Sequence, residues 1–107
     1  MTQQEFSQIS EPDYRMMADE IAQKITIRSY NENGTKDETR PTTKAERQII
    51  KELAFAAMLA YGYRSEESGG SLDSVLDTTE FALRRFIPEA NTYDTLYIPL
   101  KKAMGLW

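Results

Sequence analysis

A chain of 107 residues with 40% apolar and 28% charged residues has the size and balance of one folded domain, which argues against wholesale disorder. It contains no cysteine and no histidine, which excludes disulfides, thiolate metal sites and any chemistry that depends on an imidazole. The formal net charge of −4 suits a soluble protein and argues against a general nucleic-acid binder.

The first ten residues are polar apart from Phe6 and Ile9, and they predict a loose N-terminal arm. No basic region followed by an apolar run is present there, so we expect no signal peptide. The longest apolar run, Leu53 to Tyr61, is far shorter than the roughly 20 residues that span a bilayer. We therefore expect a single cytoplasmic domain, residues 1–107, without a membrane segment.

The first helix is predicted to begin near Ser10 to Pro12. Ser10 and Asp13 have a spacing that resembles a capping box, and proline is tolerated in a first turn. Apolar residues then recur at helical spacing: Tyr14, Met17, Ala18, Ile21 and Ile25. The end of this helix is ambiguous, because Ile25-Thr26-Ile27 alternates and is β-branched, which permits a short strand.

A polar stretch follows Tyr30 and contains Asn33-Gly34, a strong turn signal. In a hairpin, Thr35 to Arg40 would form the return strand, but this segment has no apolar residue to bury. The pattern therefore favours an exposed loop from Asn31 to Thr42.

The stretch from Thr43 to Gly62 predicts a central helix around which the other elements pack. Thr43 and Glu46 have capping-box spacing, and Gly62 is a typical helix terminator. The first two turns are amphipathic, whereas the helix is apolar on all sides from Ala54 onward. Such a surface must be covered by the core or by a partner.

Tyr63 to Ser71 has the composition of a linker, and the third helix is predicted from Ser71 or Asp73 up to Pro88. Its buried stripe is predicted to contain Leu72, Val75, Leu76, Leu83, Phe86 and Ile87. A fourth helix should begin at Asn91 or Thr92, and Pro99 should break or restart it.

These elements predict an all-α fold, a small bundle of about four helices around a central apolar helix. The alternative is an α+β fold with a short hairpin near Asn33-Gly34.

Catalytic and metal sites find little support in the sequence. Asp73 and Asp77 lie four residues apart and could hold Mg²⁺ or share acid–base work. Their position near a helix start is better explained by the helix dipole. Gly69-Gly70-Ser71 lacks the P-loop pattern and its lysine. We therefore expect no catalytic residue, no metal and no cofactor.

A basic group at the start of the central helix is the clearest binding signal. It consists of Arg40, Lys44, Arg47 and Lys51. A positive helix end with additional cations attracts a phosphate, a nucleic-acid backbone or an acidic protein surface. The alternative is a solvated face whose charge is offset by Asp37, Glu38 and Glu46.

Four apolar residues are candidates for an interface: Phe55, Met58, Leu59 and Trp107. The C-terminal Gly-Leu-Trp could close over Met58 and Leu59 or remain available to a partner. A monomer with the tail docked is slightly favoured over a homodimer.

The leading functional hypothesis is a small non-enzymatic protein-interaction or regulatory module with an unidentified protein partner. A nucleic-acid-binding accessory protein that uses the basic group is the alternative. An enzyme built on carboxylates is the third possibility.

Overall fold

The computed structural model describes residues 3–30, 37–63 and 72–105, and within these ranges it shows five α-helices and one antiparallel hairpin. The elements are α1 (Gln3–Ser7), α2 (Glu11–Lys24), β1 (Thr26–Tyr30), β2 (Asp37–Pro41), α3 (Lys44–Tyr63), α4 (Leu72–Phe86), a π-helical turn (Tyr93–Tyr97) and α5 (Ile98–Ala103). The predicted helical bundle is confirmed, with a small hairpin added to it. None of the helices in the described ranges is long and apolar enough to cross a membrane.

Helix α2 begins and packs as its sequence predicts. The Ser10 hydroxyl accepts a hydrogen bond from the Asp13 amide at 3.4 Å, and Pro12 lies in the first turn. This cap satisfies one of the amides that have no partner within the helix. The buried face of α2 consists of Tyr14, Ala18, Ile21 and Ala22.

The hairpin corrects the prediction of an exposed loop from Asn31 to Thr42. Residues 37–41 form β2, which pairs with β1 in a register from Thr26↔Pro41 to Tyr30↔Asp37. Ile25, just before β1, and Ile27, within β1, are buried. Because these two residues hold the hairpin on the core, β2 needs no apolar residue of its own. Asn33-Gly34 lies outside the described residues.

The N-terminal segment is also different from the prediction of a loose arm. Helix α1 packs on α3, and Phe6 is completely buried. Its ring lies 5.1 Å from the ring of Tyr14 and 5.4 Å from that of Tyr61, measured between centroids. The Tyr14 hydroxyl donates a 2.6 Å hydrogen bond to the Phe6 carbonyl oxygen. One buried aromatic residue thus holds an otherwise polar segment in place.

Helix α3 has the predicted start but not the predicted end. The Thr43 hydroxyl accepts from the Glu46 amide at 3.1 Å, and the Glu46 carboxylate accepts from the Thr43 amide at 2.9 Å, which completes the capping box. The helix then continues through Gly62 to Tyr63. A β-carbon at Gly62 would lie 2.9 Å from Cζ of Tyr14 and closer still to its hydroxyl oxygen, so this glycine permits close packing.

The C-terminal elements confirm the predicted restart at Pro99. Pro99 has no amide proton and lies in the first turn of α5, where none is needed. The Ile98 amide donates to the carbonyl of Tyr93, five residues earlier, which is the hydrogen bond of a π-helical turn. Helix α4 buries Val75, Leu76 and Leu83. Phe86, the last residue of the helix, was predicted in this stripe but is 59% exposed.

Candidate binding site

The four cations of the predicted basic group do not form one site in the structure. Arg40 is separate from the other three because its guanidinium is bound by two carboxylates. Its two terminal nitrogens each donate to a Glu46 carboxylate oxygen at 2.7 Å, and one also donates to Glu89 at 2.8 Å. The guanidinium therefore joins β2 to the first turn of α3 and to the segment after α4. Bidentate pairing of this kind is among the stronger polar contacts in proteins.

Two carboxylates offset the charge of Arg40. Hydrogen bonds from Arg40 are the main reason that the pKa of Glu46 is lowered to about 2 and that the pKa of Glu89 lies below its usual value. The same bonds raise the pKa of the Arg40 guanidinium. Arg40, Glu46 and Glu89 thus form a structural group of ion pairs, which we call the Arg40 clamp. Within it, Arg40 contributes little net charge to an anion site.

The other three cations line a shallow groove of about 180 Å³ between α2 and α3. Lys51 lies 3.6 Å from the carboxylate of Asp19, which also lines this groove. Lys44 and Arg47 form no ion pair with any residue in the described ranges. Only two of the four predicted cations therefore retain an unpaired positive charge here.

The apolar interface candidates are mostly part of the fold. Met58 is completely buried and has no surface for a partner. Phe55 is half-buried under the Arg15 guanidinium, which lies 4.2 Å from its ring centroid, and Leu59 packs partly on the core. Trp107 and the docking of the tail lie outside the described residues.

One member of the predicted acidic pair on α4, Asp73, has structural contacts of its own. Asp73 accepts a 2.5 Å hydrogen bond from the Tyr97 hydroxyl, which raises the pKa of Tyr97 to about 12, and lies 3.9 Å from the Lys101 ammonium. Burial raises the pKa of nearby Glu80. Among the described residues, no three acidic side chains are arranged to hold a metal ion.

A cleft that the sequence did not predict lies at the junction of α2, β1, the π-helical turn and α5. Its volume is about 430 Å³. We call it the basic cleft. Its apolar side chains are Ile21, Ile25, Ile98, Pro99 and Ala103, and its polar side chains are Lys24, Thr26, Arg28, Asp94, Thr95 and Lys102.

Backbone hydrogen bonds hold the two walls of the basic cleft together. The Arg28 amide donates to the Thr95 hydroxyl at 3.0 Å, and the Arg28 carbonyl accepts from the Asn91 amide at 2.6 Å. Thr95 is buried, so its contact with β1 is shielded from water. The outer edge of β1 is thereby fixed to the π-helical turn, and Arg28 is among the residues that line the cleft.

The basic cleft is positive on a protein that is negative overall. Three of its lining residues are basic (Lys24, Arg28 and Lys102) and one is acidic (Asp94). The Asp94 carboxylate also accepts a 2.8 Å hydrogen bond from the Asn91 side-chain amide. The combination of an apolar floor and convergent charged groups is typical of a binding site.

Local sequence carries almost no signal for this cleft. Lys24 and Arg28 are four residues apart, but they belong to a helix and a strand, and Lys102 comes from the far end of the chain. Only the contact of α2 and β1 with the last two elements brings the three together. Comparisons with protein-family models, with characterised proteins and with solved structures find no match to this chain.

Proposed function

We propose that the protein is a small non-enzymatic interaction module, and that the basic cleft binds an acidic segment of a partner protein. The observation that carries this proposal is that apolar residues and the two basic residues Lys24 and Arg28 line one cleft. Carboxylates of the segment would pair with Lys24 and Arg28, and an apolar side chain would lie on Ile25 and Ile98.

The dimensions of the basic cleft favour a short segment. A volume of about 430 Å³ holds one or two side chains of a peptide. The hydroxyl of Thr95, one of the lining residues, is already bonded to the backbone of Arg28. The cleft thus offers shape and charge for binding, and this supports an interaction module over an enzyme.

The nucleic-acid alternative has weaker support. The groove between α2 and α3 retains Lys44 and Arg47, but Asp19 lies in the same groove and Arg40 is held by two carboxylates. Tight phosphate binding ordinarily needs several unpaired cations along one surface. We therefore treat nucleic-acid binding as an outcome of the test.

The test is fluorescence anisotropy with labelled nonapeptides that carry three carboxylates around one leucine or phenylalanine. We expect a Kd of about 10 to 100 µM for these peptides, and at least about tenfold weaker binding when lysines replace the carboxylates. Lys24→Glu combined with Arg28→Glu should abolish binding. Lys44→Glu combined with Arg47→Glu makes the same change of charge in the other groove and should leave binding unchanged.

Three outcomes would contradict the proposal. The first is equal affinity for acidic and basic peptides, and the second is peptide binding that the Lys24 and Arg28 substitutions do not weaken. Alternatively, a labelled oligonucleotide would bind more tightly than any peptide, with strong salt dependence and loss in the Lys44 and Arg47 variant. That last result would establish the nucleic-acid function instead.

A further inference from the structure

Helix α4 presents a large aromatic side chain to solvent. Phe81 is 60% exposed and lies on the side of the helix opposite the buried Val75, Leu76 and Leu83. The Arg85 guanidinium lies 5.2 Å from the centroid of its ring. Single exposed apolar residues are common on protein surfaces, so what distinguishes Phe81 is the surface around it.

A shallow apolar groove lies between α3 and α4. Its volume is about 210 Å³, and Thr78 and Ala82 form its α4 side. The α3 side consists mainly of Leu53, Ala56 and Ala60. Phe81 does not line the groove, but Thr78 and Ala82 are its neighbours on the helix, and we call Phe81 and the groove together the α4 face. The same face therefore carries both a projecting ring and a depression beside it.

The charges of the α4 face are arranged symmetrically about Phe81. Asp77 precedes Phe81 by four residues and Arg85 follows it by four, so each lies about 6 Å from it along the helix axis. Neither forms an ion pair with another residue in the described ranges. An antiparallel second copy would place its Arg85 opposite Asp77, and its Asp77 opposite Arg85. A parallel copy would oppose like charges.

We propose that the α4 face is the interface of a homodimer with a twofold axis at Phe81. Each Phe81 ring packs beside the groove of the other copy, and two Asp77–Arg85 pairs flank the rings. An interface of this kind is self-complementary, as a twofold dimer requires. The sequence favoured a monomer and named Phe55, Met58 and Leu59 as the alternative interface, whereas the exposed apolar surface lies on another side of α3.

The dimer would leave the basic cleft available, because none of the residues of the α4 face lines that cleft. Two copies of the cleft in one particle would bind a partner with two acidic segments more tightly than one copy does. The dimer does not depend on the proposed peptide binding, and each can fail without the other.

The first test measures mass in solution by sedimentation equilibrium from about 10 µM to about 1 mM, the range in which a small interface associates. We expect the mass to rise from 12.3 kDa towards twice that value. Phe81→Glu should remain at 12.3 kDa throughout. Met16→Glu is the matched control, since Met16 is 62% exposed on α2, and it should associate as the wild type does.

The second test uses charge reversal and identifies the geometry. Asp77→Arg alone and Arg85→Asp alone each place like charges opposite one another twice, and each should weaken association about tenfold. A mixture of the two variants places opposite charges at both positions, so the mixture should associate at least as well as the wild type. Circular dichroism of each variant checks that α4 remains helical.

Either of two results would overturn the proposed dimer. The first is a wild type that remains monomeric up to about 1 mM, and the second is an association that Phe81→Glu does not weaken. A mixture of the charge variants that associates no better than each variant alone would exclude the antiparallel twofold arrangement. Acidic-peptide binding measured on the same samples shows separately whether the basic cleft functions.

Discussion

The two halves of α3 are stabilised in different ways. In the N-terminal half, Glu46 lies between the Thr43 amide and the Arg40 guanidinium, so its first turn is held by polar contacts. In the C-terminal half, Ala54, Ala57 and Met58 are buried, and Gly62 permits contact with Tyr14. Polar contacts dominate one end of the helix and close packing the other.

This difference has consequences for how each half responds to change. Contacts between charged groups near the surface weaken gradually with pH and salt. A closely packed interior responds sharply to an added atom or a buried charge. The four predictions below test this contrast, and the largest effects are expected in the C-terminal half.

The largest effect is expected for Ala57→Glu. Ala57 is 3% exposed, and a carboxylate introduced there would have no partner, so we expect a loss of about 4 kcal/mol or a molten state. Ala45→Glu is the matched control, because Ala45 is an exposed alanine on the same helix, and it should lower stability by less than about 0.5 kcal/mol. Urea denaturation followed by circular dichroism measures both. Equal stabilities would refute the assignment of the buried face.

Gly62→Ala should give the second largest effect. Alanine favours a helix by up to about 1 kcal/mol, yet here its methyl group would displace the buried Tyr14 ring and its bond to Phe6. We expect a net loss of about 1 to 3 kcal/mol, typical of an overpacked core. Combined with Tyr14→Phe, which removes the nearest clashing atom, the two losses should be less than additive. A stabilised Gly62→Ala protein would show that the close contact is absent.

The polar half of α3 is tested by Arg40→Ala. Removing the guanidinium leaves Glu46, whose side chain is 16% exposed, without its main partner. We expect a loss of about 2 kcal/mol, below the range for a completely buried pair because Arg40 itself is 40% exposed. Arg47→Ala is the matched control and should cost less than about 0.5 kcal/mol. Equal losses in the two variants would mean that the clamp contributes nothing specific.

Local patterns predicted the elements of this fold because their causes are local. Ser10, Thr43 and Glu46 act as caps within four residues of their partners, and Pro99 alters the helix in which it lies. The hairpin was only the alternative prediction because β2 depends on β1 for its apolar contacts. Helix α1 was missed because Phe6 depends on Tyr14 and Tyr61, which lie elsewhere in the chain.

The candidate site was harder to predict for the same reason. The four cations that are close in the sequence are partly neutralised by Glu46, Glu89 and Asp19 in the folded chain. The cations of the basic cleft are brought together by packing between elements that are far apart in sequence. A cluster of like charge along the chain tends to acquire counter-charges on folding, whereas a cluster formed by packing has no local signature.

The smallest predicted effect is a dependence of stability on pH that belongs to the Arg40 clamp. The pKa of Glu46 is about 2 in the folded protein and near 4.5 in an unfolded chain, so the unfolded state binds a proton first as pH falls. The stabilisation by Glu46 is therefore complete above about pH 4.5 and is lost progressively towards pH 2. Glu89 contributes in the same direction, since Arg40 lowers its pKa as well.

Glu46→Gln isolates this contribution, because glutamine can retain the hydrogen bond to the Thr43 amide but does not titrate. We expect the difference in stability between wild type and Glu46→Gln to be about 1 kcal/mol at neutral pH and to vanish near pH 2. The pKa of Glu80 is raised and so changes stability in the opposite sense, but it is common to both proteins and cancels in the difference. Thermal melts at half-unit steps from pH 2 to 7 measure the two curves. If the curves stay parallel down to pH 2, the Glu46 carboxylate does not titrate with the clamp, and the first turn of α3 is held by its cap alone.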